Sequence, residues 1–73
     1  MKPFKITMKE GYTEEEYSKD VKAFEKEGSF LSSYKDNKQR MVFIIDEDKS
    51  EVLKSIKWKI YKMERIKWHQ RNI

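Results

Sequence analysis

The chain has 73 residues, of which 41% are charged and 37% hydrophobic, with 17 Lys and Arg against 13 Asp and Glu for a net charge of +4. That length holds one domain, residues 1–73, with a core near the lower limit for unassisted folding, which excludes a multidomain enzyme. Without cysteine there is no disulfide framework, no thiolate nucleophile and no Cys-ligated zinc, and a cytoplasmic, soluble protein is the expectation.

Phe4, Ile6 and Met8 alternate with Lys5, Thr7 and Lys9, the period of a strand with one buried and one wet face. Gly11 ends it. Thr13 followed by Glu16 three positions on is a capping box, so a helix begins there, with Tyr12 and Tyr17 placed as a hydrophobic staple. Tyr17, Val21 and Phe24 recur at helical spacing, and Gly28 supplies a left-handed C-cap. Residues 29–34 and 40–45 read as a hairpin joined by Lys35-Asp36-Asn37-Lys38, with the positive φ expected at Asn37. Residues 41–45 are apolar throughout, the pattern of an interior strand, and are far too short to span a membrane. Asp48 and Glu51 repeat the cap spacing ahead of Val52, Leu53 and Ile56, which predicts a second helix.

Beyond Ile56 two readings compete. As a strand, residues 58–68 put Trp58, Ile60, Ile66 and Trp68 on one face, with a bulge near Glu64 admitting Tyr61 and Met63 to the core. As a helix extension, Val52, Leu53, Ile56, Ile60, Tyr61, Met63 and Trp68 share one broad side. The strand is favoured, because β-branched and aromatic residues crowd the segment and a fourth strand would protect an exposed sheet edge. The fold class is therefore α+β, a split βαβ ferredoxin-like sandwich in the order β-α-β-β-α-β. The alternative is βαββα with a long basic C-terminal helix.

Chemistry-bearing residues are few. His69 is the only histidine and lies close to the end of the sequence, where exposure is the ordinary state. Asp46, Asp48 and Ser50 start like a calcium loop, but position 51 is glutamate where the turn needs glycine, and Lys57 stands at the twelfth position. The only glycines are Gly11 and Gly28, too few for a phosphate-cradling loop. No enzyme activity, cofactor or metal is expected.

Charge is unevenly spread. Residues 1–36 balance at −1 and residues 37–73 at +5. From Lys54 onward, Lys57, Lys59, Lys62, Arg65, Lys67 and Arg71 are interleaved with Trp58, Tyr61 and Trp68, with Glu64 the lone acid. Aromatics beside cations have the composition of interface hot spots, so these residues are the candidate partner-binding set. The same stripe would suit phosphates and stacked bases, which makes nucleic acid the alternative partner. The plainer reading is a solvated face with its rings in the core.

Lys5-Ile6-Thr7-Met8-Lys9-Glu10-Gly11, the capped helix with Lys19-Asp20-Val21, and Glu27-Gly28 resemble the subtilisin-propeptide family, which includes stand-alone subtilase inhibitors. The resemblance implies a ferredoxin-like fold, an open sheet face packed on the protease and a tail, residues 69–73, entering its cleft. Met63-Glu64-Arg65-Ile66-Lys67 departs from that family's acidic segment. The topology is also similar to RNA-recognition motifs, for which Phe43 would be the third-strand stacking ring. The compact, lysine- and isoleucine-rich chain resembles small bacteriophage regulators as well. The function expected is a small non-enzymatic protein that occupies and inhibits a macromolecular partner, a protein before a nucleic acid and not a membrane, in an oligomeric state the sequence leaves open.

Overall fold

In the computed structural model, which describes residues 2–66, the chain runs β1 (Pro3–Met8), α1 (Glu14–Glu27), β2 (Phe30–Lys35), β3 (Met41–Asp46), α2 (Val52–Ser55) and β4 (Ile60–Arg65). Two 3-10 turns, Glu47–Lys49 and Lys57–Lys59, flank α2. The strands form one antiparallel sheet in the order β2-β3-β1-β4. Lys67, Trp68 and Arg71 of the expected binding set, and the tail at residues 69–73, lie outside the described residues.

Local signals account for the first half of the chain. Thr13 Oγ1 accepts the Glu16 N–H at 3.1 Å while the Glu16 carboxylate accepts the Thr13 N–H, so α1 starts at the capping box. It stops at Gly28, whose φ of 80° is the left-handed conformation that a Cβ disfavours. Register then sorts the sheet into two faces. Phe4 opposite Ile45, Ile6 opposite Phe43 and Thr7 opposite Val42 place Phe4, Ile6, Phe43 and Ile45 on one side and Thr7 and Val42 on the other.

The first of these faces carries the core. Ile6, Met8, Phe43 and Ile45 are buried with Phe24 of α1 and Ile56, and Tyr12, Tyr17, Val21, Phe30, Val52 and Leu53 pack around them. Phe43 sits at its centre, with its ring 5.3 Å from Phe24, 5.5 Å from Tyr17 and 6.2 Å from Tyr12. Both helices contribute to this single cluster, and among the described residues no helix covers the opposite sheet face.

The second half departs from expectation at three places. The helix expected from Asp48 onward is a single turn, and no long basic helix follows, because Ile60 is taken by the sheet opposite Met8 and the Lys59 carbonyl accepts the Lys9 N–H at 2.8 Å. Asp46, not Asp48, caps the preceding turn, and the first N–H groups of α2 are met by Glu27 from the end of α1, whose Oε1 lies 2.8 Å from the Glu51 nitrogen and 3.4 Å from that of Val52. The β2–β3 loop has its positive φ at Gln39, 62°, rather than at Asn37. There the Asp36 carboxylate accepts the N–H groups of Lys38 and Arg40, each at 2.9 Å, which winds residues 37–39 into a three-residue loop with its last residue left-handed.

Candidate partner-binding surface

The expected binding residues begin in the 3-10 turn Lys57–Lys59, which delivers the chain from α2 to the edge strand β4. Trp58 projects from that turn and is 68% exposed, so it belongs neither to a strand face nor to the core. Its ring borders a cavity of about 240 Å³ lined also by Lys9, Gly11, Tyr12, Glu16 and Lys59. Tyr61 follows, 60% exposed. The irregularity expected near Glu64 lies instead where Thr7 faces Lys62 and Met8 faces Ile60, so Tyr61 is the extra residue and is turned out of the core. Met63 shares the face of Ile6 but is 38% exposed, so it does not join the core as expected.

Strand alternation disperses the cations that are consecutive in sequence. Lys59 turns inward, with its Nζ 3.4 Å from Asp20 and 3.5 Å from Glu16, and its side chain is only 14% exposed. The same Asp20 oxygen accepts the Tyr12 hydroxyl. Burial, and then that hydrogen bond, push the Tyr12 phenol far above its ordinary pKa, so it remains a donor. Lys62 and Glu64 pair at 2.7 Å, and their hydrogen bond and opposite charges raise the pKa of the lysine and lower that of the glutamate. Arg65 pairs with Glu47 at 3.1 Å. Lys57 is exposed and makes no ion pair among the described residues.

Residues that the C-terminal stripe did not include meet Tyr61 on the helix-free sheet face. Arg40, in the loop before β3, places its guanidinium carbon 4.1 Å from the centre of the Tyr61 ring. Tyr34, Val42, Thr7 and Lys62 form one row across that face, and Ser32, Ile44, Lys5 and Glu64 the next. Tyr34 is 45% exposed. The period-two signal around Lys5 and Thr7 pointed to this face, but Arg40 lies in a loop and carries no periodic signal of its own. Phe43 faces the helices with no exposure, and Phe4 packs against the core from the same side, so neither ring is presented as a stacking platform.

No helix among the described residues is long and apolar enough to cross a membrane. No protein-family model, curated protein or solved structure matches this chain.

Proposed function

We propose that this chain is a small, non-enzymatic, α+β module of the ferredoxin-like type that binds a protein partner through the end of the sheet where β4 begins, and inhibits that partner by occupying its surface. One observation carries the reading. Trp58 and Tyr61, large rings within four residues of each other, stand exposed at the start of an edge strand while Lys59, Lys62 and Arg65 around them are already paired with acids. Exposed aromatic anchors of this kind supply much of the binding energy of protein interfaces. Cations that already hold a carboxylate have less to offer a phosphate chain, whose affinity comes from cations that displace its counterions. A subtilase is one specific form the partner takes in this reading, since the subtilisin-propeptide family docks by an open sheet face and this sheet has one.

Immobilised protein should capture its partner from a lysate equally well with and without nuclease. Trp58→Ala and Tyr61→Ala should each weaken that capture by about 1–3 kcal/mol while leaving the far-ultraviolet circular dichroism spectrum unchanged. Capture that survives both substitutions, or that disappears on nuclease treatment, overturns the proposal. Added to a subtilisin assay, the protein tests the subtilase form directly.

A further inference from the structure

We propose that the helix-free sheet face receives an acidic segment of the partner protein, with Arg40 as the residue that grips its carboxylate. This deepens the protein-binding reading above and rests on it. A cleft of about 250 Å³ lies on that face, and its lining includes the cations Lys5, Lys38, Arg40 and Lys62 together with the acids Asp36 and Glu64. These residues come from β1, the β2–β3 loop and β4, and only the sheet order β2-β3-β1-β4 brings them together.

The two acids are already engaged. Asp36 Oδ1 accepts the N–H groups of Lys38 and Arg40, and Glu64 holds Lys62 at 2.7 Å. Lys5, Lys38 and Arg40 make no ion pair among the described residues, although Lys5 stands opposite Glu64 across the sheet and, after Lys62, helps lower its pKa. With Lys62 the cleft has four cations against two carboxylates and is net positive. Arg40 is also pre-oriented. Its guanidinium carbon lies 4.1 Å from the centre of the Tyr61 ring, a cation–π contact that restrains the side chain while its five N–H groups remain able to meet a carboxylate. Little side-chain freedom is then lost on binding, which is the usual reason a surface arginine pair is weak.

A carboxylate fits better than a nucleic-acid backbone. A phosphate chain needs a long uninterrupted cationic track, whereas Asp36 and Glu64 are part of the lining of this cleft and confine its positive charge to a short stretch. Base stacking needs rings on the central strands, and the residues of β1 and β3 on the helix-free face are Lys5, Thr7, Val42 and Ile44, none of them aromatic and Val42 fully buried.

The test is a titration of the ¹⁵N-labelled protein with an acetylated, amidated hexaglutamate peptide, beside hexathymidylate as the phosphate probe of equal length. Saturable shifts of the Lys5, Thr7, Arg40 and Lys62 amides by hexaglutamate are expected, with Arg40→Ala weakening the binding by about tenfold. Arg40→Lys should fall between the two. Lys5→Ala, whose side chain takes no part in the loop, should also weaken it and serves as the test should Arg40→Ala fail to fold. Undiminished binding by the folded variants, shifts confined to another surface, or tighter binding of hexathymidylate than of hexaglutamate overturns the inference. A captured partner that Trp58→Ala releases and Arg40→Ala retains removes this inference alone, while one that both Trp58→Ala and Tyr61→Ala retain removes the protein-binding reading beneath it.

Discussion

Replacing Lys59 by methionine should unfold the protein more readily without acting as an interface mutation. Methionine keeps the aliphatic stem and removes only the ammonium, so the lost quantity is the charge between Asp20 and Glu16. Deleting one member of a fully buried ion pair costs about 3–5 kcal/mol, because the other charge stays enclosed without compensation. The side chains here keep 14% exposure at Lys59 and 8% at Asp20, so some water reaches the site and about 2–3 kcal/mol is the expected loss. For a chain of this length total stability is about 4–11 kcal/mol, and the loss is a large fraction of it. With a urea dependence of about 1 kcal/mol per molar, the denaturation midpoint followed by circular dichroism should fall by about 2–3 M. Pairing Lys59→Met with Asp20→Asn should recover a good part of the loss, since no carboxylate at position 20 is then left unpaired. A single-variant change within about 0.5 kcal/mol, the range of an ordinary surface substitution, would refute the inward placement of Lys59.

Two further outcomes follow from the core and from the helix junction. Phe43→Ala removes the ring that touches Phe24, Tyr17 and Tyr12 and should cost about 3–5 kcal/mol, enough to leave a substantial unfolded population at 37 °C; a cooperative thermal transition displaced by only a degree or two would place the ring elsewhere. At Glu27 burial raises the carboxyl pKa, but hydrogen bonds from Ser29, from the Glu51 N–H, from Ser50 and from the Val52 N–H outweigh it and leave the net value below the usual one. A carboxylate depressed in the folded state contributes stability that is fully present above its unfolded value and is lost as the pH falls below about 4.3 and through the folded value. Glu27→Gln should accordingly be less stable than the parent at neutral pH and converge with it in acid, and urea midpoints running parallel across that range would contradict the junction described here.

Legibility in the sequence followed the range of the interactions. The strand β1, the helix α1 and both of its caps rest on residues a few positions apart, and Thr13, Glu16 and Gly28 announced them. The end of α2 is set by distant partners, because Ile60 completes the layer opposite Met8 and Glu27 supplies a cap from 24 residues away. No pattern within residues 48–60 contains either fact. In β3 every residue from Met41 to Ile45 is apolar, so alternation could not say that Phe43 faces the helices and Val42 the opposite side; the pairing with Ile6 and Thr7 decides it. The exposure of Tyr61 likewise depends on a one-residue bulge whose position is fixed by β1.

The same reasoning explains why a run of positive charge in sequence is a poor guide to a positive surface. Successive side chains of a strand leave on opposite faces, so Lys62 and Arg65 part company, and the turn before β4 sends Lys59 a third way, each toward a different acid. In the sheet-face cleft Lys5 lies 33 residues before Lys38 in sequence and joins Lys38 and Arg40 only because β1 is inserted between β3 and β4. A partner attracted by charge therefore meets the helix-free face of the sheet, and one anchored by rings meets Trp58 and Tyr61 at its edge. Tyr61 belongs to both, packed under Arg40 and exposed beside the turn that carries Trp58, so Tyr61→Ala should weaken acidic-peptide binding and partner capture together, whereas Trp58→Ala should affect capture alone. Equal loss of hexaglutamate binding in both variants would mean that the two surfaces are one.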